Sequence, residues 1–279
     1  MKLTEAFDKY IDEVLWFQKK SRMSIEHYQL YKRSLATILG DIELASLGLN
    51  DVRQWEEELM KTRCQNTLRS YVGGLKQVLK YSKIMGYDCI DSALIICPQR
   101  IPKTVSYVTA EEVRQMIECS TSARTKFVVS FLFASGVRVS EAVSLNICDI
   151  RNRQFTVIGK GNKERLCFID KRTEDLMYAY LNTRTDHSEA LFASYLLGDR
   201  VSVSTIQQIV KNAVIRAGIH KKISPHTFRH GHATNLIKNG ADIRYVAQDL
   251  GHSNLSNTMI YTHIEDPDLR EKYEKYHKI

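Results

Sequence analysis

The chain has 279 residues, 43% of them hydrophobic and 26% charged, with a formal net charge of +8, which is the composition of a globular protein able to bury its own core. No run reaches the ~18 apolar residues of a membrane span, the opening Met1-Lys2-Leu3-Thr4-Glu5 lacks a signal peptide's apolar stretch, and the scattered Cys64, Cys89, Cys97, Cys119, Cys148 and Cys167 form no C-x-x-C pair. The expectation is a cytoplasmic protein with free thiols, of two domains at ~150 residues each, whose basic balance suits a polyanionic partner.

In chain order, Phe7, Ile11, Val14 and Leu15 recur at helical spacing, as do Tyr28, Tyr31, Leu35, Ile38 and Leu39, and then Val52, Trp55 and Leu59. A fourth helix is expected over 66–85, aligning Leu68, Tyr71, Val72, Leu75, Val78 and Leu79. Arg69, Lys76, Lys80 and Lys83 fall mostly off that stripe, in a stretch from Leu59 to Tyr87 without a carboxylate, and are candidates for phosphate contact. Gly73-Gly74 weakens this helix by ~1 kcal/mol per glycine. Close approach of a neighbouring helix and close approach of a DNA backbone both explain it, and the sequence leaves the two open. Two prolines in Pro98-Gln99-Arg100-Ile101-Pro102-Lys103 favour extended chain. The expected organisation is therefore a helical DNA-binding domain over 1–97, a linker over 98–106 and a second domain over 107–279.

Thr109-Ala110-Glu111-Glu112 has capping-box spacing and predicts a helix from about residue 110. The apolar run 127–133 reads as a buried helix ended by Ser135-Gly136-Val137, and another begins at Arg138. The only convincing strands are 155–158 and 166–169, joined through Gly159-Lys160-Gly161-Asn162-Lys163, whose glycines and asparagine tolerate positive φ. Helices resume over 173–181, over 204–217 before Gly218 and over 226–239 before Gly240, with Asp242 able to cap the next. A second carboxylate-free stretch lies between Asp199 and Asp242 and holds Lys221 and Lys222, further candidates for DNA contact.

Five motifs then stand in order: Gly136-Val137-Arg138-Val139-Ser140-Glu141, Gly159-Lys160-Gly161-Asn162-Lys163-Glu164-Arg165, His226-x-x-Arg229-His230, Leu250-Gly251-His252 and Ile260-Tyr261-Thr262-His263. In order and separation they resemble the tyrosine recombinase (phage integrase) family, most of all its Xer-like members. The resemblance implies a mainly α, two-domain DNA clamp: a helical core-binding (SAM-like) domain and an α-rich catalytic domain with a small antiparallel β-hairpin. It implies site-specific cleavage and rejoining of DNA through a 3′-phosphotyrosyl intermediate, for resolution, integration or excision, with no metal, ATP or other cofactor. The implied partners are double-stranded DNA recombination sites and a homo-tetramer on two sites, or a hetero-tetramer with a related recombinase, in the cytoplasm with the nucleoid. Residues 269–279 have the length of a terminal helix, which by resemblance docks on a neighbouring protomer.

The residue types suit that chemistry. Negative charge builds on the phosphate oxygens in the transition state, and Arg138 and Arg229, permanently charged forks of donors, suit a clamp on both non-bridging oxygens. Tyr261, the expected nucleophile, has an ordinary pKa of ~10 and needs cationic neighbours or a base. His226, one turn from Arg229, is a candidate base or phosphate ligand, and His252 a donor to a phosphate oxygen. Glu141, one turn from Arg138, is expected to orient it. Lys160, selected over Lys163 and Arg165 by the motif match, is expected by resemblance to protonate the departing 5′ oxygen. His226, His230 and His232 have workable metal spacing, but no cysteine lies near and the nearest carboxylate is Asp242, which argues against a metal site. His232 and Asp249 stand where the family pattern is commonly apolar. The rival readings are a type IB topoisomerase and a catalytically idle DNA-binding regulator.

Overall fold

A computed structural model describes residues 1–101, 106–159, 163–194, 198–251 and 258. The chain divides into two compact units, Met1–Lys103 and Thr104–Ile279.

The first unit is helical. α1 (Leu3–Tyr10) runs on into a π-helical segment, Ile11–Trp16, followed by α2 (Arg22–Leu39), α3 (Leu49–Met60) and α4 (Gln65–Ile84). Periodicity predicts one helix through Phe7 and Leu15; the chain instead widens at Ile11, and both Ile11 and Leu15 still reach the core. Ser21 starts α2 by accepting from the Ser24 amide, and Gly40 ends it with φ 74°. Phe7, Leu35, Trp55, Val72, Leu75, Val78 and Leu79 are buried in the centre. Gly74 has a definite reason to be glycine. A Cβ there would lie 2.4 Å from the Tyr31 ring of α2, so a neighbouring helix, rather than DNA, is what comes close. Gly73 faces open space.

In the second unit the order is α5 (Ala110–Cys119), α6 (Ala123–Ser135), α7 (Val139–Ser144), β1 (Gln154–Ile158), β2 (Glu164–Phe168), α8 (Lys171–Leu181), α9 (Val203–Arg216), α10 (Pro225–Lys238) and α11 (Ile243–Leu250). α6 is the hub: Phe127, Val128, Val129, Phe131 and Leu132 are buried, and α5, α8, α9 and α10 surround it. Thr109 and Glu112 form the expected capping box on α5. β1 and β2 pair antiparallel from Gln154↔Phe168 to Ile158↔Glu164, and the Gly159 amide donates to the Lys163 carbonyl at 2.8 Å. Phe155, Val157 and Cys167 form the buried face of this hairpin.

α10 starts one residue earlier than expected, because Pro225 suits a first helical turn that has no partner for its N–H. It lies close on the strand-like residues before α5: the Val108 amide donates to the Thr227 carbonyl, and a Cβ on Gly231 would come within 2.2 Å of the Val108 oxygen. Asp242 caps α11, and Gly251 ends it with φ 63°. Ala233, Val246 and Leu250 join α10 to α11 in a small apolar cluster apart from the main core. The terminal helix expected over 269–279 lies outside the described residues. Among the described residues, no helix is long and apolar enough to cross a membrane.

Candidate active site

Arg138 is the residue before the first turn of α7, in extended backbone, which leaves its side chain off the helix barrel. Its amide donates to one Glu141 carboxylate oxygen (2.7 Å) and its Nη1 to the other (2.8 Å). Arg165 meets the same carboxylate with two parallel bonds, Nη1 to Oε1 at 3.0 Å and Nη2 to Oε2 at 2.7 Å. Burial pushes the Glu141 carboxyl up, but the bonds from Arg165 and from the Arg138 backbone and side chain outweigh it and hold it at about 2. Two guanidiniums against one carboxylate leave net positive charge, and Arg138, with its side chain 32% exposed, is the one open to an anion. Arg165 is therefore no rival to Lys160 as a mobile acid, because both its Nη groups are engaged below the surface. Strand alternation carries the signal for this, since it sets Arg165 on the same face as buried Cys167.

Gly136 takes φ 58° to end α6 and turn the chain into Arg138. Its carbonyl accepts from Arg229 Nη1 at 2.7 Å, and the Leu250 carbonyl accepts from Arg229 Nη2. Arg229, buried on α10, thus joins the Arg138 motif to the residues that lead to His252. The hairpin root closes the same group: a Cβ on Gly159 would lie 3.7 Å from Arg138 Nη1, and one on Gly251 3.0 Å from Arg165 Cδ. His226 is exposed on the first turn of α10. His230 is half-buried, and burial, with repulsion from His226 and Arg229, pushes its imidazole down toward the neutral form.

His232 and Asp249, the two departures from the family pattern, meet. His232 Nε2 lies 2.8 Å from Asp249 Oδ2, and its Nδ1 donates to the Phe133 carbonyl at 2.8 Å. Asp249 therefore does not face solvent. The pair lies beyond sequence reasoning, because its members sit seventeen positions apart on different helices.

Lys160, His252 and Tyr261 lie outside the described residues. Of the six basic candidates for DNA contact, Arg69 and Lys76 are turned onto the Pro98 and Ile95 carbonyls of their own unit, and Lys221 donates to the Glu112 carboxylate at 3.1 Å. Each of those bonds engages part of the side chain's donors, and Arg69, Lys80, Lys83 and Lys222 are exposed.

Residues 106–267 match the phage integrase family model. The chain is 32% identical over 269 residues to the tyrosine recombinase XerC of Histophilus somni (strain 2336), covering 88% of this chain and 89% of that protein. The crystal structure of XerA recombinase aligns at 27% identity with a TM-score of 0.55, covering 99% of each chain. The Tn1549 transposon integrase in complex with a circular intermediate DNA shares the fold, with a TM-score of 0.81 at 17% identity over 99% of each chain.

Proposed function

This chain belongs to the phage integrase family, and on that footing we propose that Tyr261 is its nucleophile in site-specific DNA recombination. The chain is a tyrosine recombinase, an enzyme that cuts and rejoins DNA strands. The Tyr261 oxygen attacks phosphorus, its proton passes to His226, and the departing 5′ oxygen takes a proton from Lys160. The products are a 3′-phosphotyrosine and a 5′ hydroxyl, and the new ester keeps the energy of the broken one for rejoining. Arg138, Arg229 and His252 hold the phosphate oxygens while their charge grows.

The observation that carries this reading is the single connected group formed by Arg138, Glu141, Arg165, Gly159, Arg229 and Leu250–Gly251. It draws four separate motifs together around three guanidiniums. The helical first unit, with Lys80 and Lys83 exposed, contributes to binding the duplex. The working assembly is a tetramer on two double-stranded sites, with residues 269–279 docking between neighbouring copies.

A nicked suicide substrate tests the nucleophile. The protein should form a covalent DNA adduct, and Tyr261→Phe should lose it while keeping DNA affinity. An adduct that persists in that variant refutes the assignment. Type IB relaxation by a monomer, or binding without an adduct, would instead support one of the rival readings.

A further inference from the structure

We propose that His232 and Asp249 act as a positioning pair, fixing Arg229 and the Leu250–Gly251 segment for strand cleavage; the proposal rests on the recombinase reading above. His232 lies three residues beyond Arg229 on α10, one turn along on the same side. From there its ring reaches two other elements, bonding the Phe133 carbonyl of α6 and the Asp249 carboxylate at the end of α11, each at 2.8 Å. These are the elements that supply the two carbonyls holding Arg229: Gly136, at the C-terminus of α6, and Leu250, next to Asp249. The ring also fills the space beside Gly136, where a Cβ would come within 2.5 Å of it. The pair and Arg229 therefore lock one junction of three helices.

α10 packs broadly on α6, whereas α11 meets α10 through the small Ala233, Val246 and Leu250 cluster with Leu236, Ile237 and Ala241 against it, and packing of that kind is non-directional. Two hydrogen bonds at fixed angles add the missing direction. The His232 and Asp249 side chains are only 10% and 9% exposed, so each is satisfied by the other rather than by water. Removing one member strands the other as a buried polar group, and replacing both takes away the two bonds that give the junction its direction.

The test is a double-mutant cycle in the full chain, with His232→Phe, Asp249→Leu and both together. The readouts are the single-turnover rate of adduct formation at saturating nicked DNA, DNA affinity and melting temperature. Residues that act as one unit predict that each single change slows the rate about tenfold or more with affinity within about threefold, and that the double variant is slowed no further than the worse single variant. Asp249→Asn, which keeps an acceptor for the ring N–H, should retain more of the rate than Asp249→Leu. If the single variants fail to fold, the double variant and Asp249→Asn decide: a folded double variant that cleaves within about threefold of the parent overturns the pair. Losses that simply multiply, or single variants that lower only the melting temperature, overturn it as well. A parent protein that forms no adduct sinks the recombinase reading itself, and the pair with it.

Discussion

The two arginines of the candidate site are held in opposite ways. Arg138 is partly exposed and leans on a carboxylate, Glu141, whose charge is shared with Arg165. Arg229 is buried and is held by the neutral carbonyls of Gly136 and Leu250. The first arrangement stands or falls with a few side chains of α7 and β2. The second depends on where three helices place their backbones, so residues that never approach the phosphate can still move the cation. The two carbonyls that hold Arg229 are neutral, while the Glu141 carboxylate cancels part of the field of Arg138.

Breaking the buried arginine should have the largest effect. Arg229→Ala removes a buried charge and two interhelix bonds, and we expect cleavage at saturating DNA to fall ~10³-fold, with a lower melting temperature. Arg229→Lys should recover little, because one ammonium cannot span both carbonyls and a phosphate oxygen. If lysine restores cleavage, the difference drawn between the two arginines is wrong.

Next comes Glu141→Gln, which leaves two guanidiniums facing one neutral amide. Breaking a buried pair predicts a loss of ~3 kcal/mol at neutral pH, read by denaturant unfolding. The folded carboxyl is held near 2, below its unfolded value of ~4.3. Its contribution is therefore complete above the unfolded value and disappears as pH falls from there toward 2. The gap between parent and variant should close over that window, and a gap independent of pH would remove Glu141 from the account.

Gly74→Ala, in the first unit, is the control for the comparison. Its Cβ collides with the Tyr31 ring, itself held 4.6 Å from the Tyr71 ring in a tilted contact, so unfolding stability should drop by ~1–3 kcal/mol. The single-turnover cleavage rate at saturating DNA should not change. The smallest effect is expected from Lys80→Ala with Lys83→Ala. If both side chains meet phosphates, the slope of log affinity against log salt should fall by ~0.9 for each. An unchanged slope places those lysines away from DNA.

Most of the helical frame was legible because apolar spacing and end signals agree. Thr109 with Glu112, Gly136, Gly218 and Asp242 each mark an end that the structure keeps. The π-helical segment was not, because Ile11 and Leu15 satisfy an α-helical pattern equally well. Gly74 could be explained only once α2 was beside it. Within the site, Arg138, Glu141 and Arg229 stood out as motif residues, but their partners did not. Backbone carbonyls leave no trace in a side-chain pattern, and the His232–Asp249 contact joins residues that share no helix. Arg165 lies just before the strand expected from residue 166, and the strand proves to begin at Glu164, which sets Arg165 on the same face as Cys167.

The central claim is covalent attack by Tyr261, and it is tested most directly by mapping the adduct. After cleavage of a suicide substrate, the trapped complex is digested with nuclease and protease, and the modified peptide is sequenced by mass spectrometry. The account predicts a nucleotide remnant joined through its 3′ phosphate to Tyr261, and a 5′ hydroxyl on the released strand. A remnant on any other residue, or a strand released with a 5′ phosphate, would contradict it.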